Sequence, residues 1–368
     1  MKILTVGRVA RWALGLSLLS GLVGCASEGS GDTRRELLES WSTGLIVPLY
    51  ADFETRAQGL AASLAGLCAA PAQPALDAAR LAWSDTREPL KRAEVFNFGP
   101  YSRPEFRIGP QLDSWPARPE TVEEFLASTD PVDAESVAQL GVWHKGMPVI
   151  EYLLYPPSGD PTVQLVDARR CGYLADVGTE LSARASEIRS AWAPEGGDFA
   201  GQLSGAGRTS TAFRSLRDAF SEVVNRLGFT VENVRRDKLG TPLGATLGGT
   251  PRPDTAESRF SGRSVTDILD NLTGIELVYF GDPSRNLPGL TRYAAERGRN
   301  FDSDMSAALA ASRAALEAID MPLTAAVASE PERVQAAIDR LGELQSLLQV
   351  DLIGALGLTL NFNDNDGD

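Results

Sequence analysis

Histidine is almost absent from this chain: His144 is the only one in 368 residues. That excludes an HExxH zinc hydrolase, which needs two histidines one helical turn apart. Cysteine is nearly as scarce, with Cys25, Cys68 and Cys171 far apart. Neither a four-cysteine zinc site nor a CxxCH haem-attachment motif can be built from them. Basic residues are outnumbered, 35 against 49 acidic, for a net charge of −14. Nucleic acid and anionic lipid surfaces are therefore poor partners. Beyond the first 24 residues no apolar run is long enough to span a bilayer. Alternation of period two is nearly missing too, which leaves helix as the consistent element and predicts an all-α fold.

The N-terminus carries the most specific local pattern. Lys2, Arg8 and Arg11 precede an apolar run over residues 12–23 that ends Leu22-Val23-Gly24-Cys25. A basic region followed by a short apolar one is the layout of a secretory signal. The ending resembles the bacterial lipobox, which implies a signal over 1–24 and lipidation of Cys25. A flexible tether follows over 25–33. Ala26 is not the aspartate that resembles an inner-membrane retention signal, so the expected location is the outer membrane, facing the periplasm. Loss of Lys2, Arg8 and Arg11 with the leader leaves 32 basic and 49 acidic residues, a net charge of −17. Cys68 and Cys171 would meet in a compartment that permits disulfides. One closes a helical pattern and the other opens a later one, so a bridge would staple two helix ends. A free pair or a metal site is the alternative.

Helical spacing recurs along the chain. Leu38, Trp41, Leu45, Leu49, Phe53, Leu60 and Leu64 form one stripe, with a kink expected at Pro48. Leu76, Ala79, Trp83, Thr86, Leu90 and Ala93 form a second, and Leu174, Val177, Leu181, Ala185, Ile188 and Trp192 a third. Later stripes run from Phe213 to Leu227, from Phe301 to Ile319, and from Val334 to Leu348 behind a capping-box pattern, Ser329 to Glu332. Two irregular connections, 97–121 and 240–264, interrupt the series, and the first holds enough aromatics to be packed. Glycine and serine over 195–210 mark a boundary between domains at 34–200 and 201–368. Ile150-Glu151-Tyr152-Leu153-Leu154-Tyr155 is echoed by Ile275-Glu276-Leu277-Val278-Tyr279-Phe280, which suggests two related helical bundles.

The first of those echoes belongs to GVWHKGMPVIEYLLY, residues 141–155. Stepping by threes and fours from Val137 places His144, Met147, Pro148 and Glu151 on one mostly apolar stripe. Glu151 then points inward and needs a hydrogen-bonding partner, a counter-ion or a proton. Along one helix His144 would stand roughly 10 Å from Glu151, too far to share a metal unless Pro148 breaks the helix.

Five motifs in order give the chain a family resemblance: Trp83 with FNFGP at 96–100, LDSWP at 112–116, GMPVIEYLL at 146–154, ILDNLTGIELVYFGD at 268–282, and the ending LGLTLNFNDNDGD at 356–368. They resemble the imelysin family of bacterial envelope proteins. The resemblance implies two related helical bundles with a site near their interface, and an association with iron or haem acquisition. It also carries the metallopeptidase activity described for the founding member. The family signature is GxHxxE. Gly146 and Glu151 match it, but Pro148 stands where the histidine belongs and offers neither a nitrogen ligand nor a titratable group.

On that basis the expected ligand site comprises Gly146, Glu151, Asn271, Asp113 and Trp115, with Gly274 beside Asn271. Glu151 and His144 are the candidate metal ligands for iron or another divalent ion. Noncovalent haem, with His144 or Met147 as axial ligand, is the other cofactor. Asp364, Asp366 and Asp368 lack the spacing and final glutamate of a calcium loop. No catalytic residue is assigned. The expected function is a non-catalytic metal- or haem-binding lipoprotein, or an accessory component acting with other iron-uptake envelope proteins. An imelysin-type metallopeptidase and a structural envelope interaction protein remain the alternatives.

Overall fold

The computed structural model describes residues 28–103, 107–245 and 248–360. Cys25, Asp364, Asp366 and Asp368 lie outside the described residues. Helix dominates, and among the described residues the one strand pairing joins Gly281–Asp282 to Leu287–Pro288. The fold is all-α, as the missing alternation predicts.

Helix α1 (Glu28–Glu39) passes through a π-helical turn, Ser40–Ile46, into α2 (Val47–Ala69). Its stripe buries Leu38, Trp41, Leu45, Phe53, Leu60 and Leu64. Pro48 has no N–H for the carbonyl four residues back. The wider turn accommodates it, and the Gly44 carbonyl instead accepts from Arg285 Nη2. The same device recurs in α3 (Gln73–Arg92), where Pro89 leaves the Asp85 carbonyl to Arg56 Nη1 at 3.0 Å.

Helices α4 (Met147–Leu154) and α5 (Ala168–Trp192) complete the first half, with α5 along α2 and α4 on α3 and α5. Cys68, near the end of α2, is disulfide-bonded to Cys171 in the first turn of α5, with 5.4 Å between their Cα atoms. Closing a loop of 103 residues is worth about 4 to 5 kcal/mol in the chain-entropy account.

The second half contains α6 (Leu216–Asn233), which continues into a π-helical turn Val234–Gly240, then α7 (Ser264–Tyr279), α8 (Asp302–Glu317) and α9 (Pro331–Ser346). Helix α8 packs on α9, and α7 packs on α8 and, across the halves, on α3. Gly274 permits that crossing, since a Cβ there would lie 2.3 Å from the Arg92 carbonyl oxygen. The apolar core is continuous through both halves. Helix α1 packs against α6 and against the short helices Phe199–Ser204 and Leu290–Glu296, so it reaches past the boundary expected near residue 200.

Two local expectations need correction. The Ser329 to Glu332 capping box does not form, because Ser329 closes the short helix Leu323–Ser329 and its hydroxyl donates to the Ala325 carbonyl at 3.0 Å. Pro331 sets the start of α9 instead, as proline does at a first helical position. Phe213 precedes α6, whose N-cap is Ser215, with its hydroxyl accepting from the Asp218 amide at 3.1 Å.

Candidate ligand site between the two halves

Residues 137–155 are not one helix. They divide into Ala134–Gln139, a 3-10 turn Val142–His144, and α4. The break stands at Gly146, with φ of 84°, rather than at Pro148. A Cβ on Gly146 would lie 2.6 Å from the Leu112 carbonyl oxygen, and a positive φ strains any other residue. Pro148 falls in the first turn of α4, where a missing N–H leaves no helical bond unmade. Proline here helps to start the helix and does not break it.

His144 is thereby detached from the helix of Glu151. Its ring lies edge-on to Phe125 with centroids 6.0 Å apart, and its carbonyl accepts from the Tyr173 hydroxyl. Burial keeps its pKa below the usual imidazole value, against a smaller opposing effect from the Gly141 backbone and Glu124. Met147 is fully buried, and its carbonyl accepts from Trp83 Nε1 at 3.0 Å. Arg80 closes the other end of α4, donating twice to the Leu154 carbonyl at 3.1 and 2.8 Å.

Glu151 faces the second half and is only 2% exposed. Its Oε1 accepts from the Phe260 amide at 3.1 Å, the Ser261 amide at 2.8 Å and the Ser261 hydroxyl at 2.7 Å. Burial pushes its pKa up to about 7, although the Ser261 bonds and the Arg87 charge pull the other way.

Behind Glu151 lies a layer of buried charge. Arg87 donates from Nε to Asp267 Oδ2 at 2.8 Å, from Nη1 to Asp113 Oδ1 at 3.1 Å and from Nη2 to Glu257 Oε1 at 2.8 Å. Lys91 pairs with Asp113, Glu257 and Glu94. Lys238 reaches Glu94 at 2.7 Å, Glu257 at 3.0 Å and Asn271 Oδ1 at 2.8 Å. Arg263 pairs with Asp267 at 2.9 Å and with Asp270 at 3.0 Å, and Asp270 also meets Arg92 at 3.3 Å. Burial alone would raise the Glu94 and Glu257 carboxyls. The lysines Lys238 and Lys91, joined at Glu257 by Arg87, outweigh it and hold both below the ordinary carboxylate range. Against their burial, Asp113, Asp267 and Glu257 hold Arg87 protonated, and Asp113, Glu257 and Glu94 do the same for Lys91.

The residues expected at the site are thus distributed as follows. Asn271 is fully buried, and its Nδ2 donates to the Lys91 carbonyl at 2.8 Å and to Glu94 Oε2 at 2.7 Å. Glu151 and Asn271 both bond across the halves, and the chain of ion pairs through Arg87, Glu257 and Lys91 lies between them. They share no direct bond. Asp113 belongs to the layer. Trp115 is half-buried and joined to Pro116 by a cis peptide, and among the described residues no hydrogen bond ties it in. Glu276, the echo of Glu151, is half-buried and pairs with Arg313 at 2.7 Å.

The donor set does not fit a divalent metal. Glu94, Asp113, Glu257 and Asp267 already face buried cations, and an ion about 5 Å from one of those would be repelled by roughly 7 kcal/mol at an effective dielectric near 20. Among the described residues no group of three or more His, Cys, Asp or Glu side chains is placed to hold a metal ion. Met147, closed in the core, is not available to haem iron.

The sequence reading missed Arg87, Lys91, Glu94, Lys238, Glu257, Ser261 and Asp267. A signal for some of them existed. Asp267, Asp270, Asn271 and Gly274 recur at helical spacing along one helical segment, and Arg87 and Lys91 stand one turn apart beside the stripe of Trp83 and Leu90. Glu257 and Ser261 lie in an irregular connection where periodicity carries no information.

The comparisons agree with this architecture. The imelysin family profile (Peptidase_M75) matches residues 46–348. Iron-regulated protein A of Synechococcus elongatus is 27% identical over 325 residues, spanning 87% of this chain and 86% of the relative. A solved structure from Parabacteroides distasonis, described as an iron-regulated protein A precursor, superposes with a TM-score of 0.74 at 20% identity, over 89% of this chain and 94% of its own. An imelysin-like protein from Psychrobacter arcticum gives a TM-score of 0.71 at 22% identity, over 90% and 98%. With its all-α fold, its motifs in order and a profile match over most of its length, the chain belongs to the imelysin family.

Proposed function

We propose that this protein is a non-catalytic, lipid-anchored accessory component of iron acquisition in the bacterial envelope. The family match and the similarity to Iron-regulated protein A support the iron association. The observation that carries the non-catalytic reading is Pro148, which occupies the histidine position of the signature and is built into the start of α4. A zinc hydrolase holds its metal with about three protein ligands and keeps one position open for water. The leader and Cys25 support the anchor and an outer-membrane location facing the periplasm. The partners are other iron-uptake proteins of the envelope, and they hold the iron or haem, because the interface carboxylates of this chain are occupied by its own cations. A structural envelope role is the second reading, favoured by a charge layer satisfied within the chain itself.

Uptake of radioactive iron under iron limitation tests the proposal. Deleting the gene should lower accumulation, wild-type protein should restore it, and Cys25→Ala, released from the membrane, should not. Unchanged accumulation in the deletion strain favours the structural role. Chelator-sensitive cleavage of a protein substrate, lost in Glu151→Gln, overturns the non-catalytic reading.

A further inference from the structure

Residues 257–263 leave the second half, cross to the first and return within seven positions. Outward, Glu257 meets Arg87 and Lys91, Arg259 Nη2 donates to the Ala117 carbonyl at 2.9 Å, the Phe260 and Ser261 amides donate to Glu151, and Arg263 Nη1 donates to Ser84 Oγ at 2.9 Å. Homeward, the Ser258 hydroxyl donates to Asp267 Oδ2 at 2.6 Å, Arg263 pairs with Asp267 and Asp270, and the Ser264 hydroxyl closes on the Glu257 carbonyl. Ser258 has φ of 48° and Gly262 φ of 73°. A serine held at positive φ is strained backbone that its surroundings must maintain, and the Ser258 to Asp267 bond is one of the restraints.

We propose that segment 257–263 is a strap that fills, from within the chain, the position a ligand of the signature glutamate would take. Its amides and one hydroxyl satisfy Glu151 Oε1, and its own Glu257 pairs with Arg87, Lys91 and Lys238. The strap therefore locks the two halves together and excludes a metal ion from Glu151. A divalent ion at Glu151 Oε1 would have to displace two N–H donors and one O–H donor, and at either oxygen it would meet the repulsion of the Arg87 charge. Arg259, Asp267 and Tyr155 also interact electrostatically with this carboxyl, so Glu151 stands in a field of fixed charges. This holds whether or not the iron reading stands, because it concerns the purified chain alone.

Hydrogen exchange on the full mature chain tests the lock. Glu151→Leu removes the acceptor, and loss of a hydrogen bond to a charged or buried group is worth a 10- to 100-fold change in local opening. The Phe260 and Ser261 amides should therefore exchange at least about 10-fold faster, while amides of α9 keep their rates. Should that variant fold poorly, Ser261→Ala carries the test through the amides of residues 259–262, which should exchange faster by a smaller factor. Unchanged exchange in a folded variant overturns the strap. In parallel, calorimetric titration of the wild-type protein with Zn(II), and with Fe(II) without oxygen, should show no site that Glu151→Leu abolishes. One equivalent of metal bound by the wild type and lost in the variant overturns the exclusion.

Discussion

Ser261 gives both its amide and its hydroxyl to Glu151 Oε1, at 2.8 and 2.7 Å, across 110 positions of sequence. The two residues come from opposite halves of the molecule, and their contact forms one end of a polar layer in an interface otherwise made of close helix crossings. Five cations, Arg87, Lys91, Arg92, Lys238 and Arg263, face five carboxylates, Glu94, Asp113, Glu257, Asp267 and Asp270. Glu151 forms no ion pair among the described residues and is the carboxylate left over.

That surplus makes stability depend on pH. The Glu151 carboxyl has a pKa of about 7 in the folded chain, above its ordinary value of 4.5, because burial outweighs the Ser261 bonds and Arg87. Between those values the folded state binds more protons than the unfolded state, so this group's contribution is complete at low pH and is lost as pH rises through about 7. The full loss is on the order of 3 kcal/mol. Glu151→Gln does not titrate, so its stability relative to wild type should rise between pH 5 and pH 8 in urea denaturation. A difference that stays flat with pH contradicts the assignment.

Gly146 and Gly141 make a matched pair. Alanine at 146 meets both the positive φ and the Leu112 carbonyl, and strain of this kind costs about 1 to 3 kcal/mol. At 141 the φ is −64° and the nearest atom to an added Cβ is His144 Nδ1 at 3.9 Å. Gly141→Ala should therefore be neutral or stabilising by up to about 1 kcal/mol. Chemical denaturation of the two variants should separate them, and equal effects would mean that Gly146 is not the break.

Arg87→Met should destabilise the protein by about 3 to 5 kcal/mol, because it leaves Asp113, Glu257 and Asp267 short of a buried counter-ion. Arg340, whose pairing with Glu343 is solvent-exposed, is the contrast. Arg340→Ala should change stability by less than about 1 kcal/mol. Thermal melts of both at one pH make the comparison.

The helices were legible because burial repeats along them: Trp83, Leu90, Leu174, Val177, Leu181 and Trp192 all lie in the core where their spacing places them. The inward-facing Glu151 and the buried Asn271 were legible for the same reason, as polar residues on apolar faces. What periodicity cannot show is a change of backbone conformation inside an apolar stripe. Met147 and Glu151 kept their helical phase, but the break at Gly146 depends on the Leu112 carbonyl, which is remote in sequence. The partners of Glu151 were hidden for a similar reason. Ser261 and Glu257 sit in an irregular connection, and their contacts with Glu151 and Arg87 are made more than 100 residues away.

The interface carboxylates belong to the chain's own cations, and a double-mutant cycle between Arg87→Met and Glu257→Gln measures that ownership. Contacting residues in one buried network couple by about 0.5 to 3 kcal/mol, and the 2.8 Å contact between these two places them toward the upper end. The account predicts a coupling of at least about 1.5 kcal/mol from urea denaturation of the four proteins. Additive effects, with a coupling near zero, would contradict it.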